Sequence, residues 1–192
     1  SPKMQVQCSA CPQTVLIPHS CGHRHCPHCQ HHESQQWLER QLAKQVPAEY
    51  FLITFTLPAQ FRALAWAHQR VVYELLMRCA WETLRTFSQN DRQLRGVPGA
   101  IAVLHTNTRE HAFHPHVHVV MPAAALDAER RRWRTKAGYL FNHKALAKVF
   151  RAKMLAGIQA ASLELPERYA QRWVVDCKSV GTGKPALIYL GR

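Results

Sequence analysis

The sequence has no run of about 18 apolar residues and no charged N-terminal stretch followed by an apolar one, so it offers neither a membrane span nor a secretion signal of the ordinary form. An interior, cytoplasmic setting is the expectation. Acid is scarce too. Only 12 Asp and Glu stand against 25 Lys and Arg, a net charge of +13 before any of the 13 histidines is protonated. That imbalance argues against an acidic protein or a neutral metabolite as partner and for a polyanion such as nucleic acid. No internal repeat or low-complexity tract is present, and 47% apolar with 19% charged residues is enough for a core, which excludes disorder as the main state. Cysteine is nearly missing outside one stretch: five of the seven lie between residues 8 and 29, while Cys79 and Cys177 stand alone in apolar surroundings. An odd count crowded into one end reads as metal binding, not as a disulfide framework.

The pattern along the chain predicts two parts, 1–46 and 47–192. The first holds the cysteine cluster and six histidines between residues 19 and 32 but has little periodic apolar sequence, so it needs a metal to fold. A polar helix over 33–46 joins it to the rest. From Tyr50 to Leu57 the chain is β-branched and aromatic, hence a strand that places Thr54 and Thr56 on one face. Apolar residues at three- and four-residue spacing predict a long helix over 59–88. Strands follow over 100–106 and 113–121 as an antiparallel hairpin, then a helix over 144–163 and a strand over 173–177. The order β-α-β-β-α-β is the split βαβ, ferredoxin-like arrangement: an α+β fold whose antiparallel sheet has its first and third strands in the middle. The chain begins without methionine and stops at Tyr189-Leu190-Gly191-Arg192 inside a segment that could begin a helix, which suggests an excerpt of a longer protein.

Three motifs carry chemistry. Cys8-x2-Cys11 and Cys26-x2-Cys29 have the spacing of two knuckles around one tetrahedral zinc, with Cys21 a fifth candidate and nearby histidines able to replace a thiolate. Arg24 and its neighbours give this module a DNA-contacting surface. His114-Pro115-His116-Val117-His118 sends its three imidazoles to one face of a strand and Val117 to the other. Two imidazoles two residues apart on a rigid strand can chelate one divalent ion and leave positions open for phosphate oxygens and water. A third ligand is His105 or His114. A register setting His105 opposite His114 puts both on the same face, and a one-residue slip turns His105 away. Tyr189 gains interest because a phenolate beside a metal-held phosphodiester is a competent nucleophile.

Between Asp127 and Lys153 nine Lys or Arg face two acids, a net +7. Arg130-Arg131-Arg132-Trp133-Arg134 sets an aromatic among guanidiniums, which suits a nucleic-acid backbone and unpaired bases. Lys184 joins these DNA-contact candidates. The turn before it, Gly181-Thr182-Gly183, lacks Walker spacing and excludes an ATP loop.

With its knuckles ending in Ser20-Cys21-Gly22-His23-Arg24-His25-Cys26-Pro27-His28-Cys29-Gln30, with His116-Val117-His118, and with Trp173–Lys178 followed by Tyr189-Leu190-Gly191-Arg192, the chain resembles the rolling-circle insertion-sequence transposases of the HUH superfamily. The resemblance implies a zinc-binding N-terminal module on an HUH nuclease domain. It also implies nicking and strand transfer of single-stranded DNA, or of hairpins at transposon ends, through a 5′-phosphotyrosine on Tyr189, with Mg²⁺ or Mn²⁺ and without ATP or a membrane. Two departures stand out. The family typically carries two tyrosines four apart, and this chain ends where the second would follow; the turn after His105 also lacks the Trp-Gly expected there. Two other classes remain open: a non-catalytic zinc-containing nucleic-acid-binding module, and a zinc-dependent hydrolase needing a carboxylate base near the histidines but no tyrosine.

Overall fold

A computed structural model describes residues 3–18, 27–108 and 110–191, with the backbone alone for 18 and 27–32. The chain divides into two compact units, 1–45 with 191–192, and Val46–Leu190. In the first, β1 (Lys3–Gln7) and β2 (Thr14–Pro18) pair antiparallel, Val6 opposite Val15, and α1 spans Pro27–Leu42. Met4, Val6, Val15, Leu16 and Ile17 are all exposed. With these apolar side chains in water, the hairpin has no core of its own among the described residues. The hairpin was not foreseen, and α1 starts earlier than the expected 33–46 helix because Pro27 suits a first helical turn.

The second unit is built on a four-stranded antiparallel sheet of β3 (Tyr50–Thr56), β5 (Ile101–Asn107), β6 (Phe113–Pro122) and β9 (Val175–Ser179), in the order β5-β6-β3-β9. The first and third of these strands in sequence lie in the middle, the expected ferredoxin-like order. Alternation sorts the faces. Phe51, Ile53 and Phe55 of β3, Val117 and Val119 of β6, and Val175 of β9 are buried, while Thr54, His116 and His118 are half-buried on the other side. The buried face is covered by α3 (Gln69–Asn90) and α4 (His143–Ala160). Phe55 meets Phe150 at 4.9 Å, and Trp173 packs on both Phe61 (5.2 Å) and Phe150 (5.7 Å). The helices approach closely at Gly157, where a Cβ would lie 2.6 Å from Leu75 Cδ2.

The expected single helix over 59–88 is divided. A 3-10 turn at Ala59–Phe61 leads into α2 (Arg62–Ala67), and His68, at φ −128° and ψ 48°, breaks the path before α3. The last strand lies two residues later than expected, at Val175–Ser179, because Trp173 is spent plugging the core. A second sheet, of β4 (Val97–Pro98), β7 (Ala124–Asp127) and β8 (Arg132–Thr135), was not foreseen; its strands are too short to show a period.

Two details fix how the site is built. The β5–β6 ladder shifts register between His105 and Asn107, so His105 pairs with His116 and Asn107 with Phe113. Pro115 sits in β6 within this irregularity, and its carbonyl still accepts from Leu57 N (3.3 Å). A proline without an N–H is tolerated in a central strand at a bulge. After β9, Gly181 (φ +58°) and Gly183 (φ +77°) turn the chain into α5 (Lys184–Leu190). Gly181 O accepts from Tyr50 N (2.7 Å), and Tyr50 O accepts from Val180 N (2.8 Å). A Cβ on Gly183 would lie 2.7–2.9 Å from Tyr50, so glycine is required there both for its φ and for the approach.

Candidate active site

Three imidazoles converge on the open face of the sheet. His105, His116 and His118 bring one ring nitrogen each within 4.8 Å of one another. Their ring centroids are 4.8 Å apart for His116–His118 and His105–His118, and 5.4 Å for His105–His116. The register achieving this is neither of the two weighed from sequence. His105 faces His116 instead of His114, and the irregularity after it keeps it on the histidine face. His114 is excluded from the cluster by its own bonds. Its Nδ1 accepts from Arg62 Nε (3.2 Å) and Nη2 (2.9 Å), and its ring lies 6.0 Å from that of His116.

The rings are held in the state a cation needs. His116 Nδ1 lies 2.7 Å from His114 O, and since a carbonyl only accepts, that nitrogen carries the proton and Nε2 keeps its lone pair. His118 Nδ1 is 3.0 Å from Thr54 Oγ1 on the neighbouring strand, which likewise turns Nε2 toward the cluster. Burial, and then the repulsion of His116 and His105, push His118 down to about 4. Burial and His116 lower His105; burial, Arg62 and His116 lower His114. His105, His114 and His118 are therefore neutral near pH 7, and a neutral imidazole beside others is a donor for a cation. No carboxylate belongs to this cluster among the described residues. Asp176, next along the same row of the sheet beyond Thr54, is paired with Lys178 Nζ at 2.7 Å.

Tyr189 stands at the edge of the triad. It is 42% exposed, and its ring centroid is 6.2 Å from His118 and 6.5 Å from His105. Ala186, Leu187 and Leu190 anchor α5, so the tyrosine projects from a packed element, and Lys184 is exposed at the start of the same helix.

The other expected residues fare differently. Cys8 and Cys11 are exposed thiols in the turn after β1; Cys8 Sγ accepts from Ala10 N at 3.4 Å. The backbone N–H of Ala10, and then Cys11, lower the Cys8 pKa, which favours a metal-binding thiolate. Cys21, Arg24 and Cys26 lie outside the described residues, and Cys29 is on α1 where only the backbone is described. Cys79 and Cys177 are raised by burial, Cys177 to about 11, which makes them inert packing residues.

The basic run is less free than its sequence suggests. Asp127 Oδ2 takes Arg130 at 3.1 Å and lies 3.8 Å from Arg134, and Arg134 also donates to the carbonyls of Gln93 and Arg92. Arg134 thus braces β8, and Arg130 is half committed. Arg131, at φ +50°, Arg132 and Trp133, 50% exposed, project outward. Arg62 and Trp66, which sequence periodicity passed over, lie beside the histidine strand. Only the coincidence of an Arg and a Trp one helical turn apart could have marked them.

Comparison with known proteins adds three findings. Residues 1–57 match a family described as transposase zinc-binding domain, and residues 99–192 match one described as putative transposase. A putative transposase, y4qJ, of Sinorhizobium fredii is 36% identical over 155 residues, 80% of this chain and 39% of that protein. The transposase for insertion sequence element IS801 of Pseudomonas savastanoi pv. phaseolicola is 29% identical over 137 residues, 65% of this chain and 32% of that protein. The chain thus spans well under half the length of the curated relatives it matches. Among solved structures, the conjugative relaxase TrwC in complex with OriT DNA aligns over 65% of this chain and 48% of that one, with a TM-score of 0.46 and 17% identity.

Proposed function

The chain belongs to the rolling-circle insertion-sequence transposases with an N-terminal zinc-binding domain, and from that premise we propose that residues 47–192 nick and rejoin single-stranded DNA through Tyr189. The observation that carries this reading is the His105–His116–His118 cluster with the Tyr189 ring just over 6 Å from two of its members.

His105, His116 and His118 would hold Mg²⁺ or Mn²⁺, which when bound draws charge from the non-bridging oxygens of the scissile phosphate. Thr54 and the His114 carbonyl orient two of those rings. The Tyr189 oxygen, giving up its proton, attacks phosphorus in line; the bond to the 3′-oxygen breaks and the released 3′-hydroxyl takes up a proton. A 5′-phosphotyrosine remains, and because it conserves the bond energy, a 3′-hydroxyl can attack it and restore a phosphodiester. In 1–46, Cys8, Cys11, Cys26 and Cys29, with Cys21 in reserve, would bind one structural zinc and present Arg24 toward DNA. Arg131, Arg132 and Trp133, with the less free Arg130 and Lys184, would bind backbone and unpaired bases. Among the described residues no carboxylate joins the histidine cluster, which disfavours a hydrolase reading.

The test incubates a labelled single-stranded oligonucleotide carrying a transposon end with the protein and Mn²⁺. A DNA-linked protein band should form, be lost in Tyr189→Phe, and be lost in His116→Ala with DNA binding retained. Cleavage that survives Tyr189→Phe without an adduct would overturn the tyrosine mechanism.

A further inference from the structure

The histidine strand does not end at the triad. Beyond His116 comes His114, whose Nδ1 is gripped by Arg62, and one helical turn further along α2 stands Trp66. Trp66 is 65% exposed, the highest value among the large apolar and aromatic side chains described as exposed apart from Val174 at 68%. It is nonetheless fixed in place, because its ring meets half-buried Phe113, the first residue of β6, at 5.1 Å and 85°. Residues 61 and 65 of the same segment are fully buried, so the helix has its apolar anchor elsewhere and its indole is not needed for the core. A rigid, solvated indole beside a guanidinium is costly to leave idle and well suited to a flat, anionic partner.

We propose that Arg62 and Trp66 form a nucleotide shelf, in which a base of single-stranded nucleic acid stacks on the Trp66 indole and its phosphate lies against Arg62, next to the metal-facing end of β6. The proposal rests on the strand-nicking reading of the triad. Geometry supports it. His114 and His116 are two residues apart on one strand, roughly 7 Å, and their rings lie 6.0 Å apart. Tyr189 flanks the opposite, His118 end of the row. The open face therefore offers one continuous line: tyrosine, three imidazoles, Arg62–His114, indole. Arg62 uses its Nε and one Nη2 hydrogen on His114 and retains further N–H donors for an oxygen. Stacking needs a base that has left its duplex partner, so the shelf selects single strands without selecting sequence. The Arg131–Trp133 patch offers similar chemistry, but Asp127 and Glu129 lie beside it, and no described contact ties it to the triad.

The full chain, without divalent ion, is titrated by fluorescence anisotropy with three probes: an oligothymidine, an oligomer of the same length made of abasic sugar-phosphate, and the oligothymidine annealed to its complement. Trp66→Ala should weaken the intact single strand roughly five- to a hundredfold and leave the abasic strand unchanged, while Trp66→Phe keeps most of the affinity. Arg62→Gln should weaken intact and abasic strands alike and reduce the salt dependence by about one phosphate contact. Equal losses on both single strands in Trp66→Ala, no loss on either, or tighter binding of the duplex would each overturn the shelf. Trp66→Phe guards against misfolding: if it loses as much as Trp66→Ala on the intact strand, the effect is not stacking and the proposal fails. Nicking is scored separately. A chain that nicks without a base-dependent Trp66 effect loses the shelf alone; one with that effect but no nicking keeps the shelf and loses the catalytic reading.

Discussion

Replacing Gly183 by alanine tests how Tyr189 is delivered to the triad. At φ +77° an L-residue incurs about 1–2 kcal/mol of local strain. The new methyl would lie 2.7 Å from Tyr50 Cγ and 2.9 Å from Cβ and Cδ1, well inside an ordinary carbon–carbon contact of about 3.5–4.0 Å. Tyr50 has little room to give: it is buried, its hydroxyl accepts from Val46 N at 2.9 Å, and its backbone is bonded to Val180 and Gly181. Overpacking of this kind adds about 1–3 kcal/mol, for a total of about 2–5. Gly181 is the control, with φ +58° but no atom within 4 Å of its Cβ position, so Gly181→Ala should cost only about 1–2 kcal/mol. Urea unfolding of the two variants should show the larger midpoint shift for Gly183→Ala, and the gap should shrink in a Tyr50→Leu background. In Gly183→Ala, Mn²⁺ titration should stay near wild type while adduct formation falls, because α5 moves and the triad does not. Equal midpoint shifts for the two alanines would refute the steric argument.

Other expectations can be checked alongside. Thr54→Val removes the partner of His118 Nδ1 and should lower Mn²⁺ affinity by about 10–100-fold, with Thr54→Ser restoring most of it in calorimetry. The metal-free chain should lose stability as pH falls from the ordinary histidine value of about 6.5 toward about 4, since unfolded His118 takes up a proton there and folded His118 resists it; His118→Asn should flatten that slope in urea midpoints measured against pH. Asp91 acts in a lower window: burial raises its pKa, but Lys136 and the Gln93 and Leu94 N–H groups outweigh it, so its stabilisation is present above the usual carboxylate range and lost as pH falls below it. Lys136→Met should destabilise by about 1–3 kcal/mol in the same assay, by stranding that carboxylate. Zinc analysis should give about one ion per chain, and chelation should unfold 1–46 while the circular dichroism of the ferredoxin-like sheet persists; an ordered, metal-free, disulfide-bonded module would contradict this.

The order of elements was legible because the alternation in 50–56 and 113–121 and the three-four spacing of the long helices are strong periodic signals. What escaped was decided by single residues acting at a distance. The pairing of His105 with His116 depends on one extra residue in β6, between Phe113 and His116, and no local pattern announces an extra residue in a ladder. The restraint on Arg134 comes from Asp127, Gln93 and Arg92 across a sheet of very short strands. His116 and His118 were visible because strand period alone puts them together; that His105 and not His114 completes the trio follows from Arg62, about 50 residues away in sequence, occupying the nitrogen of His114.

The irregularity after His105 has a further consequence for how the molecule meets other copies of itself. β5 is the edge of its sheet, paired on one side with β6 and open on the other, and a flat open edge is a template on which a stranger's backbone can zip. The extra residue belongs to β6, where three steps from Phe113 to His116 face two from Asn107 to His105, and a bulge of this kind increases the local twist of the strand pair. The feature that sets an imidazole opposite His116 thereby also makes the adjoining end of the β5 edge less flat and a poorer template for β-addition. Deleting Pro115 would even out the ladder, turn His114 to the opposite face, and leave a flatter, more adhesive edge.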